Sequence, residues 1–138
     1  FGLRDVDEGE RRRIKKFTRS LPITMQDIDR NGVVGELGRL NSWIAESGAK
    51  LLWISFDVDA LDPILTPGTG TAVRGGLTYR EAHLMAEILW EQISGGNYKL
   101  VGIDLVETNP LCDNNNETAK VAVEWLASLF GKTILGVQ

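Results

Sequence analysis

Two aspartates two residues apart, Asp57 and Asp59, close the apolar run LLWISFDVDALDP at 51–63, and a third, Asp62, stands before a proline. In a strand the side chains at i and i+2 point to the same side. Asp57 and Asp59 are therefore expected to leave one face at the carboxyl end of the strand, where open α/β sheets place their ligands. Two like charges so close raise one pKa and oppose folding unless a cation meets them. Oxygen donors of this kind suit Mg2+ or Mn2+ better than zinc or copper. The same acids are also good turn formers and helix caps, and the motif alone leaves both readings open. Leu-Asp-Pro is ordinary turn chemistry, which gives Asp62 a structural role.

The loop at 64–76, ILTPGTGTAVRGG, is long for a strand-to-helix connection, and such loops are usually functional or disordered. Thr66, Thr69 and Thr71 offer hydroxyls, and Pro63 and Pro67 argue for a fixed path. Glu107 ends the run KLVGIDLVE and is expected at the same sheet edge as the aspartates, partly buried. A carboxylate there can grip a guanidinium through two parallel hydrogen bonds, and it can equally be a solvated strand end. Asp104 reads as a buried structural acid with a backbone or arginine partner. His83 is the only histidine and is expected on a helix surface. One histidine and one cysteine cannot build a zinc site.

The elements that must position these groups alternate between strand and helix patterns. FGLRDV, LPITM, the run 50–58, KLVGIDLVE and KTILGV read as strands. Helices are predicted over DEGERRRIKKF, over 26–47, after the capping box of TYRE (Thr78 with Glu81), and after the asparagine-rich CDNNNET. The fold class is α/β, a three-layer α/β/α arrangement with a mainly parallel sheet. The strand at 50–58 is apolar nearly throughout, as expected when helices cover both faces.

At 138 residues, 43% hydrophobic and 25% charged, the chain has the composition of one globular domain. A net charge of −4 speaks against nucleic acid and anionic membranes as partners, and the basic RRRIKK at 11–16 reads as a solvated helix face. Cys112 stands alone, so a reducing compartment, the cytoplasm, is expected. No apolar stretch approaches the roughly 20 residues of a membrane span. The start at Phe1, inside a strand-like segment, suggests a piece of a longer polypeptide.

Taken together, SFDVDALDP, TPGTGTAVRGGLTYRE and LVETNP are far more specific than their parts. They resemble the arginase branch of the ureohydrolases, the arginase/agmatinase family, and GLRDVDEGE and NNETAKVAVEWLASLFGK are similar to that family too. The resemblance implies that residues 1–138 are the carboxyl-terminal part of a ureohydrolase domain. It implies two Mn2+ ions as cofactor, with Asp57 bridging them and Asp59 binding one. It also implies that Glu107 holds the substrate guanidinium, with Thr71 beside it. The implied reaction is hydrolysis of L-arginine to ornithine and urea by water that the metal activates. A homo-oligomer, trimer or hexamer, is implied as well, with Arg80 and Glu81 in the region of intersubunit salt bridges.

The family's remaining metal ligands, its histidine proton shuttle and its contacts to the amino-acid end of the substrate are expected upstream of this chain. By itself the chain is therefore expected to be an incomplete site. Agmatine or another guanidino compound is the alternative substrate, although GGLTYRE and the Asn of TNP lean towards arginine. The reading from another class is a non-catalytic oligomerisation or regulatory fragment.

Overall fold

The computed structural model describes residues 1–137. Its elements are α1 (Glu8–Lys16), α2 (Met25–Ser47), β1 (Leu51–Asp57), a 3-10 turn (Val58–Ala60), α3 (Tyr79–Ser94), β2 (Lys99–Val106), α4 (Glu117–Leu129), β3 (Lys132–Thr133) and β4 (Gly136–Val137). Local chemistry accounts for most helix starts. Thr78 and Glu81 form the expected capping box on α3, and Asp7 with Glu10 and Thr24 with Asp27 do the same for α1 and α2. At α4 the cap comes from outside the helix, where the Asp113 carboxylate accepts from the Thr118 N–H at 3.1 Å and its hydroxyl at 2.9 Å.

β1 and β2 pair in parallel, with Asp57 opposite Val106 and one irregularity between Leu52 and Trp53. α3 is the crossover between them. Ile54, Phe56, Ile103 and Leu105 face the core, where α2, α3 and α4 contribute Leu37, Ala82, Ala86 and Trp125 to one cluster. Phe56 stacks on Trp125 with ring centroids 3.8 Å apart, and the Trp125 indole N–H donates to the Ala82 carbonyl. That aromatic pair fixes α4 beneath the end of β1.

The arrangement is α/β as expected, with one face of β1 open among the described residues, where Leu51 and Trp53 are 66% and 61% exposed. Several other expectations are revised. FGLRDV and LPITM meet only in a single parallel bridge, Leu3 to Thr24. KTILGV is a short antiparallel hairpin rather than a strand of the parallel sheet. α2 breaks at Gly32, whose φ of 72° only glycine adopts freely. The break resets the helical phase and leaves Val34 exposed. Asp104 has neither a backbone nor an arginine partner. It accepts from the Trp53 indole at 2.9 Å and from the Ser55 hydroxyl on the open face.

His83 is not on a helix surface. It is 5% exposed between α3 and α4, its Nδ1 lies 2.8 Å from the Ser128 hydroxyl, and Tyr79 stacks on its ring. Burial pushes its pKa down. Glu124 and Glu87 oppose the shift, while Arg80 and Lys132 add to it. An imidazole with a depressed folded pKa takes up protons more readily once unfolded. Stability is therefore expected to fall as pH drops through about 6.5, the ordinary histidine value, and to be independent of this group above it. Denaturation midpoints of the wild type and His83→Gln measured from pH 8 to pH 5 should diverge in that window, with the flatter profile in the variant.

Candidate functional site

The site is built on an alternation of buried and polar residues along one short stretch. Phe56, Val58 and Leu61 are 4%, 0% and 0% exposed, and between them Asp57 and Asp59 point the other way. β1 ends at Asp57, so the two acids do not share a face by strand pleating as the sequence suggested. The 3-10 turn brings them together instead: the Asp57 carboxylate accepts from the Asp59 backbone N–H at 3.0 Å. Both line a cleft of about 400 Å³ that also contains Arg4, Asp5, Glu10 and Thr71.

Thr71 donates its hydroxyl to the second carboxylate oxygen of Asp59 at 3.2 Å. Of the three loop hydroxyls, only Thr71 is free to serve the cleft, because Thr66 and Thr69 are 1% and 5% exposed. The loop 64–76 has a fixed path. Asp62 accepts from Ile64 N–H at its start and from Gly75 N–H at its end, which gives this acid the structural role expected of it. Gly68 N–H donates to the Thr118 hydroxyl and Gly68 carbonyl accepts from Asn109 N–H. At Gly76 a β-carbon would sit 2.4 Å from the Leu61 carbonyl carbon, so only glycine lets the returning chain close on the turn.

Glu107 follows directly on Val106, the β2 residue opposite Asp57, and does not line the cleft itself. Contrary to expectation it is exposed rather than partly buried. Its φ of 62° is left-handed, a region that non-glycine side chains enter rarely and that clusters at functional sites. Burial raises the Asp57 pKa, the Asp59 amide opposes this, and the charges of Asp59 and Glu107 add to the rise. None of the ion pairs among the described residues involves Asp57 or Asp59.

Negative charge gathered without a paired base fits a hard divalent cation, and the carboxylate oxygens of Asp57 and Asp59 are the donors present. They fit as part of a ligand set: among the described residues no group of three or more His, Cys, Asp or Glu is assembled to hold a metal. Asp5 and Glu10 also line the cleft, and neither was singled out by its place in the sequence. Their spacing in GLRDVDEGE carried no separate signal, and the contacts that tie their segment to the turn and the loop are the long-range ones of Arg4.

A buried apolar floor under a carboxylate-lined cleft, bordered by a pinned glycine-threonine loop, lies at the carboxyl edge of the sheet, where open α/β proteins place their ligands. A sequence model of the arginase family matches residues 1–131, and the chain belongs to that family. It is 43% identical over 135 residues to an arginase of Staphylococcus aureus and 44% identical over 136 residues to one of Brucella melitensis. These alignments take in 98% of this chain and 43% and 42% of those proteins, so the chain spans less than half the length of the curated relatives it matches. The crystal structure of arginase from Bacillus subtilis superposes with a TM-score of 0.86 at 39% identity, covering 96% of this chain and 45% of that one. The fold is arginase-like α/β.

The left-handed backbone at Glu107 yields a test. Glu107→Gly should raise stability by about 1 kcal/mol as the strain is released, and should at the same time remove the acid from the site. A thermal midpoint below that of the wild type would show that the backbone there is not strained.

Proposed function

We propose that this chain is the carboxyl-terminal part of a ureohydrolase domain whose site hydrolyses L-arginine to L-ornithine and urea with Mn2+. The observation that carries the reading is the gathering of Asp57, Asp59 and Thr71 in one cleft of a chain of the arginase family, with the Glu107 charge close enough to act on Asp57. Asp57 and Asp59 would hold the metal, which when bound supplies a Lewis acid and a nucleophile at neutral pH by lowering the pKa of water.

The chain's own residues do the rest of what it contributes. The Asp59 amide and the Thr71 hydroxyl each fix one carboxylate oxygen, at 3.0 and 3.2 Å, so that the other oxygen of each acid stays free for a ligand. Glu107 would take two guanidinium N–H groups at once and hold the central carbon over the acids. Water adds its oxygen to that carbon, the carbon–nitrogen bond to the side chain breaks, and the amine leaves with a proton as ornithine. The exposed apolar face of β1 and the partial ligand set support a chain whose site is completed by further polypeptide. A homo-oligomer in the cytoplasm belongs to the same reading, and no described helix is long and apolar enough to cross a membrane.

A second reading, a non-catalytic oligomerisation or regulatory module, is favoured by that same partial ligand set. One assay separates the two. The chain is joined behind the portion of the Staphylococcus aureus arginase that it does not match and is given Mn2+ with arginine or agmatine. Urea from arginine and not from agmatine is expected, with little from the unjoined chain. Glu107→Gln in the chimaera should lower kcat/KM by about 10-fold or more, the effect of losing a charge-assisted pair with the substrate guanidinium. A folded chimaera that binds Mn2+ and releases no urea would establish the non-catalytic module, and urea from agmatine would reassign the substrate.

A further inference from the structure

Arg4 stands in the same cleft as the acids, yet its guanidinium pairs with none of them. Its donors go to main-chain carbonyls 55 to 69 residues away. Nε and Nη2 donate to the Val73 carbonyl at 3.0 and 2.7 Å. Nη2 also donates to the Asp59 carbonyl, and the carbonyls of Ala60 and Leu61 lie at the limit of reach, 3.5 and 3.4 Å.

These carbonyls belong to the two parts that shape the site. Asp59, Ala60 and Leu61 form the end of the turn that carries the acids, and Val73 lies in the loop that carries Thr71. The Ala60 carbonyl already accepts from the Leu77 N–H at 2.9 Å, so the short contacts of Arg4 go to the Asp59 and Val73 carbonyls. A planar fork with several donors can serve them together, which an ammonium group cannot do.

We propose that Arg4 is a positioning residue that locks the Asp57–Asp59 turn to the Thr71 loop, so that cation affinity at the two acids depends on it. This rests on the reading of Asp57 and Asp59 as cation ligands. Charge and geometry make opposite demands at this position. If Arg4 acted only as a nearby positive charge, removing it would strengthen cation binding. As a fork between two segments, it is needed for the acids to keep their places, and supporting contacts of this kind typically contribute 10- to 100-fold in metal affinity.

The test uses the 138-residue chain with Arg4→Lys, which keeps the charge and loses the fork, and Arg4→Gln, which loses both. Mn2+ affinity is read from the electron paramagnetic resonance signal of free Mn2+, and amide hydrogen exchange is followed without metal. The Asp62 and Leu77 amides donate across the turn–loop junction and the Gly75 amide donates to Asp62, so these three report the clamp. Both variants are expected to bind Mn2+ about 10-fold or more weakly, with faster exchange at those three amides and unchanged exchange in α3 and α4. Arg4→Lys with wild-type affinity and wild-type exchange would overturn the proposal, as would tighter Mn2+ binding by Arg4→Gln. If the wild-type chain alone binds no Mn2+, the affinities are measured with the chain joined behind the unmatched portion of the Staphylococcus aureus arginase, and a folded chimaera that binds none would defeat the cation reading instead. The exchange data would then judge the clamp alone, and unchanged exchange would overturn that too.

Discussion

The repulsion among Asp57, Asp59 and Glu107 at the carboxyl ends of two paired strands is the constraint to which the surrounding structure answers. Burial and its neighbours' charges raise the proton affinity of Asp57, and no lysine or arginine among the described residues forms an ion pair with Asp57 or Asp59. The acids are held in place all the same, because the residues between and beside them are anchored in the core. Phe56 lies on Trp125, and Val58 and Leu61 are wholly buried. Displacing a carboxylate would pull an apolar neighbour out of the cluster, at about 1.5–3 kcal/mol for a side chain of that size. The acids are thus fixed by hydrophobic packing against their own electrostatics.

The loop 64–76 turns that fixed edge into a cleft. It is tied to the turn through Asp62 and Arg4 and to the start of α4 through Gly68, Thr118 and Asn109. Pro67 restricts its backbone, but a glycine-rich composition does not by itself fix the path. Its order comes from polar contacts made at its two ends and at Gly68, with Thr66 and Thr69 buried beneath it. Only Thr71 is left to act on the acids, which makes the loop a wall with one functional hydroxyl.

Much of this was legible in the sequence where the interaction is local. The capping box of Thr78 and Glu81, the turn role of Asp62 and the pairing of the two longest apolar runs depend on residues near one another or on strong patterns. The resemblance to arginases rested on contiguous motifs and is matched by the family over residues 1–131. What was not legible is non-local or depends on phase. The Arg4 contacts span 55 to 69 residues, so no spacing rule finds them. His83 was misplaced because it lies at the border of the apolar face of α3, and α4 happens to cover that border. Asp59 lies beside Asp57 as expected, but not for the reason expected. The strand stops one residue earlier than the alternation implied, and the turn supplies the convergence that pleating was expected to provide.

The most direct test of the charge-neutralisation claim is the thermal midpoint of the wild type and Asp57→Asn, each with and without Mn2+. Replacing a carboxylate by its uncharged isostere should raise the metal-free midpoint, since repulsion is relieved, and should abolish the stabilisation that Mn2+ gives the wild type. A metal-free midpoint that falls, or a response to Mn2+ that survives the substitution, would contradict the view that these acids are gathered to be met by a metal.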